Sequence, residues 1–236
     1  MGAAFLRQQS LEALGGQFGW LERPAPETVR TGVSELDRTT GGLPRGCLTE
    51  MFGPASSGRS SLLASILAAA TQRQEVCALV DAEDSFDPLS AAAAGVRLER
   101  LLWVRCGHHA EHALKAADLL IQGGGFGLVA MDLGDTPPVI ARRISLTSWF
   151  RLRRAVENTP TVLVTVARQS NAKTCASLML ECMRERASWV GGVRGAEGDQ
   201  KMLRGIRVRV TRRKPGRALT AAYEAAALGD AAALPI

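Results

Sequence analysis

The sequence predicts an α/β fold, a mostly parallel twisted sheet flanked by helices. Three observations carry this. Short apolar runs alternate with helix-length amphipathic segments across the middle of the chain. The first run leads through a glycine-marked turn directly into a helix. Two later runs, "VCALVDAED" and "FGLVAMD", have acidic residues at their carboxyl ends, where ligands of such sheets gather. At 236 residues the chain holds one such domain with small appendages.

In order, "AAFLRQQSLEALGGQFG" reads as a short amphipathic helix ending at Gly15 and Gly16, and "ERPAPET" (22–28) as a proline-marked linker. "CLTEMF" (47–52) is a strand, followed by a helix over 60–72. "VCALVDAED" (76–84) and "LLWVRC" (101–106) are the next strands. A helix over 109–122 leads through Gly123–Gly125 to the strand "FGLVAMD" (126–132). One helix is expected over 139–158 and a strand at "TVLVTVARQ" (161–169), with "SLMLECMRERA" (177–187) following. "GIRVRVTRRK" (205–214) alternates as a strand does, placing Arg207, Arg209 and Arg213 on one face. Arg212 and Lys214 share the other with Val208 and Val210. The expected division is a helix and linker over 1–30, a core over 31–218 and an Ala-rich tail over 219–236.

The longest apolar run, Ser61 to Ala70, is too short to span a bilayer. The start "MGAAFLRQQS" lacks a signal-peptide layout, so a cytoplasmic protein is expected. The five cysteines show no zinc spacing and read as small apolar filler, and "HHAEH" reads as a solvated helix start. Charge is uneven. Residues 141–217 hold 18 basic and 5 acidic side chains, although the whole chain carries only +6. Such asymmetry points to an anionic partner, nucleic acid first, with Arg207, Arg209 and Arg213 as candidate contacts. On the helix "ARRISLTSWFRLRR" the aromatic residues read as core, and the arginines are left open between solvent and contact with nucleic acid or a partner.

The chemistry centres on "GPASSGRSS", residues 53–61. Gly53 and Gly58 let the backbone approach phosphate oxygens, and the following helix adds its N-terminal dipole. Pro54, Ser56, Ser57, Arg59, Ser60 and Ser61 make up the rest of the stretch and are candidate nucleotide contacts. Ser60 is placed to ligate magnesium, and Asp132, ending a strand, to orient it. Lysine is usual at the basic position. Arg59 keeps the charge but replaces a compact ammonium with a bulkier planar fork.

The stretch "TGVSELDRTTGGLPRGCLTEMFGPASSGRSSLL" resembles the opening of the bacterial RecA recombinase core, and "ALVDAEDSFDP" resembles its next segment. The likeness covers roughly residues 30–215 and is most specific in its first third. It implies a RecA-like core that takes ATP and magnesium. It implies Glu83 as the carboxylate that activates water, Asp87 near the adenine, and Asp132 beside the magnesium. The γ-phosphate sensor falls at Arg168, with Gln169 one residue away. Arg212 and Lys214 match lysines that reach a neighbouring subunit's nucleotide.

Departures fall on catalysis and strand handling. Arg59 replaces the lysine, Ser90 replaces the adenine-stacking tyrosine, and both DNA-binding loops are short or missing. That profile is most similar to the ImuA family of RecA paralogues. The likeness implies an SOS-induced accessory of error-prone translesion DNA synthesis. Its expected partners are single-stranded DNA, a Y-family-like translesion protein with its DNA polymerase, and RecA or further copies of the chain. Weak or no ATPase activity and no strand exchange are expected. The alternatives are a DNA-stimulated ATPase that forms RecA-like filaments and, more remotely, a RecA-shaped SOS cell-division inhibitor.

Overall fold

A computed structural model describes residues 25–190 and 202–226. The helix expected over 3–14 lies outside the described residues. Short strands β1 (Thr28–Val29) and β2 (Leu43–Pro44) pair with each other and flank helix α1 (Ser34–Thr40). The main sheet has eight strands: β3 (Cys47–Phe52), β4 (Cys77–Asp81), β5 (Leu101–Arg105), β6 (Leu128–Leu133), β7 (Val162–Ala167), β8 (Leu178–Val190), β9 (Met202–Lys214) and β10 (Leu219–Ala226). Their order is β10-β9-β8-β3-β7-β6-β4-β5. Every neighbouring pair from β8 to β5 is parallel, while β9 and β10 join antiparallel. The α/β architecture with a mostly parallel sheet therefore stands as expected.

Helices α2 (Arg59–Gln72), α3 (Pro88–Ala93), α4 (Ala110–Gly123), α5 (Pro138–Ala141) and α6 (Leu146–Val156) complete the chain's described part. Strands buried on both faces favour near-continuous apolar and β-branched residues, and β7, "VLVTVA", is fully buried with Thr165 its one polar side chain. Alternate residues then serve opposite cores. In β4, Leu79 joins Leu62, Ile66 and Leu67 of α2, whereas Ala78 and Val80 face Ala113, Ala117 and Ile121 of α4 and Trp149 and Leu152 of α6. The spacing Ala110, Ala113, Leu114, Ala117, Ile121 is the helical stripe that packs α4 on the sheet.

Two expectations are corrected. The single helix expected over 139–158 is two, because Ser145 takes an extended conformation and its hydroxyl accepts the Ser148 N–H at 3.2 Å, capping α6. The Ala-rich stretch from Leu219 is not all tail. Residues Leu219–Ala226 form β10, whose Ala221 and Tyr223 are buried in the core. "SLMLECMRERA" is strand, the body of β8. Among the described residues no helix is long and apolar enough to cross a membrane.

The register levels the carboxyl ends of three strands. Phe52 of β3 pairs with Ala167 of β7, which pairs with Leu133 of β6. The neighbouring strand is in step too, with Asp81 of β4 opposite Asp132. The segments that follow, beginning at Gly53, Ala82, Gly134 and Arg168, therefore emerge along one rim.

Candidate functional site

The loop between β3 and α2 is built around two glycines. A Cβ on Gly53 would collide with the Cys182 carbonyl of β8, and one on Gly58 with the Val208 side chain of β9. Gly58 also adopts φ +90°, which L side chains rarely take. Ser56 is left-handed at φ +56°. Pro54, Ser56 and Ser60 are exposed, Ser61 is half-buried, and Ser57 and Arg59 are buried. The first turn of a 14-residue helix thus lies at the rim, with Ser60 exposed and Gly58 and Arg59 buried.

Arg59 does not project into solvent over this loop. It is only 6 % exposed, and its Nη1 donates to the Gly134 carbonyl at 3.0 Å. The Arg168 Nε donates to the same carbonyl at 3.2 Å, and its Nη2 lies 3.6 Å from Asp135. Gly134 in turn donates its N–H to Asp132 Oδ1 at 2.7 Å. The turn after β6 is therefore the hub on which both guanidinium groups converge. Burial lowers the Arg59 pKa, an effect Asp132 and Asp135 oppose. Burial likewise pushes the Asp132 carboxyl up to about 6, against the opposing Gly134 hydrogen bond and Arg59 charge.

Glu83 reaches the same hub. Its Oε1 accepts from the Thr136 hydroxyl at 2.7 Å, and its Oε2 lies 3.0 Å from His108 Nδ1. The "DAED" loop that presents it is shaped by Asp81, a fully buried carboxylate. Asp81 accepts from the backbone N–H of Glu83, Ser85 and Phe86 and from the Trp103 indole. Asp87 begins α3 as its N-cap, accepting from the Leu89 and Ser90 N–H and from the Ser90 hydroxyl. Its pKa is lowered by these hydrogen bonds, the Ser90 hydroxyl first.

The structure thus brings Arg59, Glu83, Asp132 and Arg168 together on the rim. Gln169 is elsewhere engaged, its Oε1 accepting from Arg142 at 2.7 Å. Lys214 donates to the Thr174 and Ala176 carbonyls, and Arg212 to the Arg217 carbonyl at 3.4 Å. Arg207, Arg209 and Arg213 share the outer face of β9, and each meets a glutamate. Arg207 pairs with Glu185 and Glu224, Arg209 with Glu185, and Arg213 with Glu181.

Two site residues, Asp81 and Glu50, escaped the sequence reading, and His108, read there as part of a solvated helix start, meets Glu83. Glu50, buried in β3, accepts from the N–H groups of Asn171 and Ala172 and from Ser170, fixing the segment after β7. Its signal was a lone acid inside the apolar run "CLTEMF".

Magnesium is the cation such a loop would take through Ser60 and Asp132. The residues as arranged do not fit it. Asp132 has one oxygen held by the Gly134 N–H and already has a guanidinium beside it, and burial pushes its carboxyl up to about 6. Among the described residues no cluster of His, Cys, Asp and Glu offers another metal site.

Comparison with known proteins bears on this rim. The family model for the RecA N-terminal domain matches residues 11–136, from the N-terminal segment through the phosphate loop to the turn carrying Gly134. Protein RecA from each of two strains of Chloroflexus aurantiacus is 33 % identical over 158 residues, covering 60 % of this chain. The chain spans about half the length of these curated relatives, 45 % of each.

Proposed function

The chain belongs to the RecA N-terminal domain family, and from that premise we propose that it is a RecA-like accessory protein of SOS-induced error-prone translesion DNA synthesis. In this reading it is an adaptor with a degenerate nucleotide site and no strand-exchange activity. Single-stranded DNA, a Y-family-like translesion protein and its polymerase are its partners.

One observation carries the reading. The phosphate loop keeps its glycines and its helix, while the basic side chain that should meet phosphate is buried and held on Gly134. A lysine there slides between β- and γ-phosphates, whereas this guanidinium is already hydrogen-bonded to the protein. The scaffold that binds remains, and its cation is fixed on Gly134 rather than free to follow a transferred phosphoryl group. ATP is the nucleotide that the family implies, bound weakly and turned over slowly. The proposed division keeps residues 1–30 as an association segment in front of the core.

The second reading is a DNA-stimulated ATPase, favoured by Glu83, whose carboxylate stands on the rim beside Thr136. Two measurements separate them. Deleting the gene in the source organism should abolish damage-induced point mutations while leaving homologous recombination intact. The purified protein should release phosphate slowly, with little stimulation by single-stranded DNA. Unchanged mutation after damage sinks the adaptor reading, and strong DNA-stimulated turnover installs the ATPase in its place.

A further inference from the structure

We propose that the loop takes a nucleoside di- or triphosphate without a divalent cation, the Arg59 guanidinium serving as the resident counter-charge. The proposal rests on reading residues 53–61 as a phosphate loop and adds how the ligand's charge is met. Magnesium would ordinarily be held between the ligand and the carboxylate at the end of β6. Here that carboxylate and a guanidinium flank one glycine. A Cβ on Gly134 would lie 2.8 Å from Asp132 Oδ1 and 3.2 Å from Arg59 Nη1. A positive side chain, covalently attached and buried, stands beside Asp132.

A divalent ion entering there meets two obstacles. It is repelled by the guanidinium at short range in a poorly solvated place, where charges are weakly screened. It also gains little from Asp132, one of whose oxygens is bound to the Gly134 N–H. The same arrangement suits an anion. Arg59 uses Nη1 on Gly134, while its Nε is buried without an acceptor. The Ser57 hydroxyl beside Gly53 is also buried and unpartnered. Unmet buried donors are costly, and phosphate oxygens are strong acceptors for a guanidinium fork. The N-terminus of α2 adds backbone N–H groups, led by exposed Ser60.

The full chain is titrated with ADP and with ATP by calorimetry, in magnesium and in EDTA. For each nucleotide, affinity in EDTA should equal or exceed that in magnesium, because magnesium in solution draws the nucleotide into a complex that the loop does not take. Mn²⁺, added with ADP and followed by electron paramagnetic resonance, should give the same signal with the protein as with ADP alone. Arg59→Lys removes the fork and leaves a compact ammonium. It should lose about tenfold in affinity in EDTA, recover in magnesium, and bind Mn²⁺. A thermal melt shows whether that variant is folded, and the wild-type comparison stands without it. Wild-type affinity that rises tenfold or more with magnesium overturns the proposal and leaves the nucleotide reading intact. A folded wild type that binds neither nucleotide in either buffer overturns both. The DNA and mutagenesis tests of the adaptor reading are then unaffected.

Discussion

Asp132 carries a stability signature of its own. Burial pushes its carboxyl from an ordinary 3.8 to about 6. A carboxyl that holds its proton more tightly folded than unfolded favours the native state at low pH. The contribution is complete below about pH 4 and is lost as pH rises through about 6. Two units correspond to about 3 kcal/mol. Asp132→Asn cannot titrate, so the difference between the two stability curves isolates this group. Urea denaturation from acid to neutral pH should show the wild type losing up to about 3 kcal/mol relative to Asp132→Asn over that window. Parallel curves would mean that Arg59 keeps the carboxylate ionised throughout. At this scale the sequence revealed the loop because its residues are contiguous. It could not reveal that Arg59 turns toward Gly134 or that His108 meets Glu83. Those partners lie 75 and 25 residues apart and meet only once the strand ends are level.

At the scale of elements, the loop at residues 53–61 is backed by strands that are distant in sequence. Gly58 is confined twice, by its φ of +90° and by Val208 of β9 against the place of its missing Cβ. Gly58→Ala should destabilise by about 1–2 kcal/mol from the backbone and by a further ~1–3 kcal/mol from overpacking. Val208→Ala removes the methyl groups that collide and costs stability by itself through the void it leaves. The double variant should then be more stable than the sum of the singles, by about 1 kcal/mol or more in a denaturation cycle. Strict additivity would show that β9 does not press on the loop. Legibility followed the same division between local and distant. The strand at 47–52 is legible to the residue because its apolar run, interrupted only by Thr49 and Glu50, leads directly to the glycine turn at Gly53. The helix expected over 139–158 runs together because its apolar spacing continues across Ser145. The cap is a local hydrogen bond to Ser148, legible in principle from the serine. The strand at Leu219–Ala226 is hidden by alanines, which carry little strand preference. It forms because β9 offers an edge and because Tyr223 finds the core.

For the whole molecule, the question is what the basic half meets. Its excess of positive charge is real in composition, yet the arginines named as DNA contacts are not bare. Arg207 lies 3.2 Å from both Glu185 and Glu224, Arg209 3.5 Å from Glu185, and Arg213 donates to Glu181 at 2.6 Å. These pairs are on the outer face of β8, β9 and β10, where solvent weakens them, so DNA phosphates can compete for the same guanidinium groups. Each arginine must leave a glutamate to bind, and that exchange lowers affinity without removing the interaction. Glu185→Gln releases Arg209 from its glutamate and leaves Arg207 only Glu224. If single-stranded DNA lies across this face, the substitution should raise affinity about two- to fivefold at low salt. It should also steepen the plot of log affinity against log salt by about 0.7 for each further phosphate neutralised. Glu157→Gln removes the same charge from the end of α6, where the partner is Arg153, and serves as the comparison. Fluorescence anisotropy with a labelled oligonucleotide across a salt series reads both quantities. Equal effects of the two substitutions would place DNA off the β9 face and leave only a general response to net charge. An effect confined to Glu185→Gln would fix the ribbon as the surface, with its glutamates tuning binding toward the weak, reversible association that an adaptor needs.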